Sequence, residues 1–142
     1  MLDDGQRSLL CAVLNRLIPP RGDLPGAGDL GAGERIERTL AESQKLRRLF
    51  LDGLMAIQVS ASFLELDEPA QTAQLQRVEQ AHPQFFAALV DHAYRGYYTL
   101  PRVQQALGWL RPPQPLGHTL PPFDPELLSI QRTRAPFWRR AD

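Results

Sequence analysis

The chain has 142 residues with 16 basic and 16 acidic side chains, a formal net charge of zero, and 43% hydrophobic against 23% charged residues. This balance fits one ordinary globule with a single core and excludes both a disordered chain and the basic field by which proteins hold nucleic acid. A lone cysteine, Cys11, excludes an internal disulfide or a thiolate metal cage, and no apolar run reaches the roughly 20 residues that a bilayer crossing needs.

In chain order, Leu9, Leu10, Val13, Leu14, Leu17 and Ile18 recur at three- and four-residue spacing, which predicts an amphipathic helix from Asp4 to Ile18. Asp3 or Asp4 caps it and Pro19-Pro20 ends it. Cys11 lies in the apolar run SLLCAVL, where a buried, inert thiol is expected. The next stretch, RGDLPGAGDLGAG, carries five glycines between Gly22 and Gly33 and predicts a loop. It has no apolar strand before it and no Lys-Ser/Thr after it, so it lacks the setting of a phosphate-binding loop.

A long helical stretch follows, from Ile36 and Leu40 through Leu46, Leu49, Phe50, Leu54, Ile57 and Phe63, with a break near Ser43 that starts a second segment. Gly53 inside it marks a place where two helices come close. The piece AQTAQLQRVEQA is a polar helix anchored by Leu75 and Val78, ending at His82-Pro83, and Pro83 suits the first turn of the next helix. On that helix Phe86, Leu89, Val90, Ala93 and Tyr97 form the expected core stripe, with Phe85 and His92 on its shoulder. Gly96 leaves room for a neighbouring element. Pro101 opens a further short helix, which Gly108 closes.

From Arg111 the chain changes character. Six prolines between Pro112 and Pro125 predict extended, stiff backbone, and the tail ends with Phe137 and Trp138 among arginines. No stretch has strand periodicity. The expected fold is therefore all-α, a bundle of five or six helices over residues 1–110 with a proline-rich arm and tail over 111–142 that packs on the domain or on a partner.

Catalytic sets are hard to assemble from these residues. Glu79-Gln80-Ala81-His82 spells one E-x-x-H, whereas a carboxylate-bridged di-iron bundle needs two such motifs and glutamates from two more helices. Asp91 and His92 are sequence neighbours and point apart on a helix, so they form no ready acid-base pair. His118 stands in the proline arm without an evident ligating partner. Large aromatic residues around the exit of the fifth helix and in the arm suit a docking surface instead, and Tyr97, Tyr98, Trp109, His118, Phe123, Phe137 and Trp138 are its candidates. The alternatives are a small metal-binding enzyme, with His82 and His92 as ligands, and a self-associating helical protein.

The ordered segments LNRLIPP, LPGAGDLG, LFLDGLMAI, HPQFFAALVDHAYRGYYTLPRVQQALGW and PPQPLGH resemble the gluconate 2-dehydrogenase subunit 3 family over about residues 9–118. Positions matching its recurrent pattern are Pro19, Pro25, Gly26, Ala27, Phe85, Phe86, Gly96, Tyr97, Tyr98, Pro101, Gly108, Pro115 and Gly117, all read as structural or interface positions. The resemblance implies a small helical subunit that binds a large flavoprotein of the glucose-methanol-choline type and assists its maturation or export. It implies no catalytic residue and no cofactor on this chain, FAD in the partner, and a cytochrome as a further member of the same complex. No twin-arginine pair precedes the first helix, so as written the chain is expected in the cytoplasm, or in the periplasm if co-exported with a partner.

Overall fold

A computed structural model describes residues 2–58, 62–109 and 125–128. The chain divides into two units, Met1–Leu110 and Arg111–Asp142, and each is treated by itself. Within the first unit lie six α-helices: α1 (Asp4–Leu17), α2 (Ala32–Glu42), α3 (Gln44–Gln58), α4 (Glu68–Ala81), α5 (Pro83–Tyr98) and α6 (Pro101–Ala106), with a 3₁₀ turn at Phe63–Glu65. The described part of the second unit is a 3₁₀ turn, Pro125–Leu128. No strand occurs among the described residues, so the all-α expectation holds there.

Most helix boundaries follow from local chemistry. Asp3 caps α1 by accepting from the Gln6 N–H at 2.8 Å, while the Gln6 side chain accepts from the Asp3 N–H at 3.0 Å, a reciprocal capping box. Ser43 separates α2 from α3, and its hydroxyl accepts from the Leu46 N–H at 3.3 Å. Asp67 caps α4 by accepting from the Ala70 N–H at 2.9 Å. His82 then serves two helices: its N–H donates to the Val78 carbonyl at the end of α4, and its own carbonyl accepts from the Phe86 N–H to start α5. Pro83 follows in the first turn of α5, where a missing N–H is tolerated.

The glycine-rich stretch is a loop, but helix α2 begins at Ala32, so Gly33 is helical rather than part of it. Asn15 from α1 binds the backbone of this loop. Asn15 Oδ1 accepts from the N–H groups of Gly28 at 2.9 Å and Asp29 at 3.2 Å, and Arg102 at the start of α6 donates to the Asp23 carbonyl at 3.0 Å. The loop is thus tied to the first and last helices of the unit and serves as a structural clasp.

Helix α5 contacts each of the other five α-helices. Its core line is Phe85, Leu89, Ala93, Gly96 and Tyr97, whereas Phe86 and Val90, expected in the core stripe, are only half-buried on its outer side. The reason is the seat of Phe85. Its ring fills the notch left by the absent side chain of Gly53 on α3, and Phe50, one turn earlier, meets it edge-on with ring centroids 5.5 Å apart. Once Phe85 is turned inward, 100° of helical rotation carries Phe86 to the flank.

Two glutamines complete the join between α3 and α4. Gln74 is buried and donates its side-chain amide to the Ile57 carbonyl near the end of α3, while Gln71 donates to the Phe63 carbonyl at 3.0 Å. The first bond satisfies a carbonyl in the last turn of α3 that has no intrahelical partner, and the second joins the Leu66 N–H already donated to the Phe63 carbonyl. Salt bridges Arg7–Glu37 (2.9 Å) and Arg16–Glu68 (2.8 Å) link α1 to α2 and α4, and exposed pairs of this kind add little stability.

Gly53→Ala tests the seat of Phe85. Helix propensity alone favours alanine by about 1 kcal/mol, yet the added methyl meets the buried Phe85 ring, and such overpacking costs about 1–3 kcal/mol. Urea unfolding should show net destabilisation, and Gly53→Ala combined with Phe85→Leu should lose less than the sum of the single changes.

Candidate functional site

The outward side of α5 is the chemically distinctive surface of the first unit. Pro83, Ala87, Val90, Tyr94 and Tyr98 succeed one another every three or four residues, a single helical stripe on the side turned away from Phe85. Pro83, Phe86, Val90 and Tyr94 line an open groove of about 600 Å³, with acidic Glu79 and Asp91 also in its lining. Tyr94 is 45% exposed and Tyr98 39% exposed, and their rings stack nearly parallel with centroids 5.9 Å apart. Two stacked tyrosines standing in water present a rigid apolar platform with polar rims.

Tyr97 takes another role. Among the residues expected from sequence to dock a partner it is buried, 6% exposed, and meets the Tyr98 ring edge-on at 5.3 Å. It therefore belongs to the core and buttresses the exposed ring from beneath. Trp109 is 46% exposed. Its position follows from the end of α6, where Gly108 adopts φ 73°, a conformation that side chains disfavour, and lets the Trp109 N–H donate to the Gln104 carbonyl at 2.8 Å. His118, Phe123, Phe137 and Trp138 lie outside the described residues. Tyr94 was not among the sequence candidates, although its place in the Pro83–Ala87–Val90–Tyr94–Tyr98 spacing was the signal that could have found it.

The groups with catalytic potential are dispersed. Glu79 is exposed in the last turn of α4 and His82 at the α4–α5 junction, and His92 packs its ring against Phe50 at 6.0 Å on another flank of α5. Among the described residues no three His, Cys, Asp or Glu side chains gather closely enough to hold a metal ion. Cys11 is partly buried, not fully so, with its thiol donating to Asp29 Oδ1 at 3.7 Å. Burial first, then the Asp29 charge, hold its pKa above the ordinary thiol value. No strand-turn-helix with a glycine-rich phosphate loop occurs among the described residues. No described helix is long and apolar enough to cross a membrane.

The described residues of the first unit thus form an all-α unit with an aromatic outer face on α5. The family described as gluconate 2-dehydrogenase subunit 3 matches residues 4–113, and the chain belongs to that family. No curated protein and no solved structure matches the chain.

Core and platform tyrosines should separate by stability. Tyr97→Ala is expected to lower the unfolding free energy by about 3 kcal/mol, as for other large buried rings, while Tyr94→Ser should change it by less than about 1 kcal/mol. Cys11 should react slowly with iodoacetamide in the folded protein, because a raised pKa leaves little thiolate at mildly alkaline pH. Asp29→Asn removes the neighbouring charge and should speed that reaction.

Proposed function

We propose that this protein is a non-catalytic accessory subunit that binds the large subunit of an FAD-dependent oxidoreductase of the glucose-methanol-choline type and assists its assembly or maturation. Family membership supports the role of a dehydrogenase subunit. The observation that carries the docking step is the exposed stripe of α5 with its stacked Tyr94 and Tyr98. Aromatic residues are enriched among interface anchors, and a helix face already held rigid by its core loses little entropy on binding.

In this reading the chain supplies shape and hydrophobic contact. Tyr94 and Tyr98 enter pockets of the partner with their hydroxyls at the rim, Phe86 and Val90 extend the apolar contact along the groove, and Trp109 adds a second anchor. FAD and the redox chemistry reside in the large subunit, with a cytochrome as a further member of the complex.

The test is affinity capture of the tagged full chain from its native cells, with mass spectrometry and an absorbance scan for flavin. A stoichiometric flavin oxidoreductase is the expected product. Tyr94→Ser/Tyr98→Ser, shown to be folded by circular dichroism, should then weaken the complex by about 2 kcal/mol or more. An unchanged affinity would remove the α5 face from the interface. Recovery of a colourless chain that light scattering shows to be a dimer would replace the subunit reading with self-association.

A further inference from the structure

The opposite flank of α5 has a different chemistry. Between α2 and α5 lies a recess of about 330 Å³ lined by Arg35 and Thr39 from α2, by His92, Arg95 and Gly96 from α5 and by Thr99 just after it, with Ile36 also in its wall. In a chain with equal numbers of acids and bases, this recess collects two guanidinium groups, an imidazole and two hydroxyls with no carboxylate in its lining. We propose that it is an oxyanion-binding site that takes a phosphate or carboxylate group.

The construction supports that assignment. Gly96 carries no side chain where α5 passes the start of α2, and a methyl added there would stand 3.1 Å from the Ala32 carbonyl oxygen. Helices α2 and α5 therefore approach closely, and side chains one turn apart on each project along the same seam: Arg35 and Thr39 on one, Arg95 and Thr99 on the other. His92 is half-buried with its ring edge-on to Phe50, which fixes the imidazole at the wall of the recess. Arg35 makes no ion pair among the described residues. Arg95 pairs with Asp91 at 2.9 Å through Nε, and Asp91 is not part of the lining. That pair is exposed at both partners and hence weak, so it orients the guanidinium while leaving its other donors for a ligand.

Thr39 and Thr99 donate their hydroxyl protons to carbonyls within their own helices, at 3.2 Å to Arg35 and 2.6 Å to Arg95. They contribute a polar wall, and the charged donors for the ligand are the two arginines. Planar guanidinium groups match the paired oxygens of a carboxylate or phosphate and make the stronger, charge-assisted hydrogen bonds. The site is on the α2 side of α5, separate from the Tyr94–Tyr98 platform, so it stands or falls independently of the docking proposal.

The test is a titration of the full chain with inorganic phosphate and, separately, succinate, followed by amide chemical shifts at constant ionic strength with chloride as the control. Saturable shifts centred on Thr39, Gly96 and Thr99 are expected. Arg35→Gln/Arg95→Gln alters exposed side chains, should remain folded by circular dichroism, and should weaken binding at least about tenfold, the loss of one charge-assisted hydrogen bond or more. Preference for phosphate or for succinate identifies the group the site takes. Shifts that match those from chloride, or a folded double variant that titrates like the unaltered protein, would overturn the proposal.

Discussion

The rotation of α5 about its own axis governs what the first unit presents to its surroundings, and that rotation is set where the Phe85 ring enters the notch at Gly53. Any residue with a side chain at position 53 would collide with the ring. Phe50 meets Phe85 edge-on and also meets His92 edge-on, so one buried ring ties the seat of Phe85 to the α2-side flank. Close-packed interiors transmit such constraints because neighbouring side chains have no free volume in which to adjust. Turn α5 by one residue and Phe86 would enter the core, Tyr98 would approach it, and the arginine flank would swing toward solvent.

A helix that touches five others would ordinarily be covered on all sides. Helix α5 is not, because its neighbours leave the stripe from Pro83 to Tyr98 open. The two sides that remain accessible have contrasting chemistry. One is aromatic and flanked by acids; the other is a recess of arginine, histidine and threonine. Apolar platforms suit broad contact with a folded partner, while clustered guanidinium groups suit a discrete anion. A single core helix thus presents two chemically distinct faces, since the residues of each lie on different sides and share only their support.

The polar details of the interior support the same geometry. Asn15 clasps the glycine-rich loop from α1, and from α4 Gln74 holds the end of α3 while Gln71 holds the turn that follows it. The bonds of Asn15 and Gln74 meet backbone groups that neither helix nor sheet would satisfy, and an unpaired buried group of this kind costs about 1–3 kcal/mol. They are polar residues with structural work, so a polar residue on this chain is not thereby a functional one. The same reasoning applies to His82, whose backbone joins two helices while its side chain is exposed.

Boundaries and the fold class were legible in the sequence, because caps, prolines and helical spacing act within a few residues of where they are read. Asp3, Ser43, Asp67, Pro83, Pro101 and Gly108 each mark a helix start or stop by chemistry local to that position. The resemblance of ordered short motifs also gave the family. Which of the adjacent rings Phe85 and Phe86 turns inward was decided only by the tertiary structure, since both are apolar and the choice depends on Gly53, more than thirty residues away in the chain. For the same reason sequence spacing could group Tyr97 with the exposed rings and leave out Tyr94, and could not bring Arg35 beside Arg95. Local chemistry decides where a helix begins and ends; only contacts between distant segments decide how it is turned, and therefore which of its residues meet water.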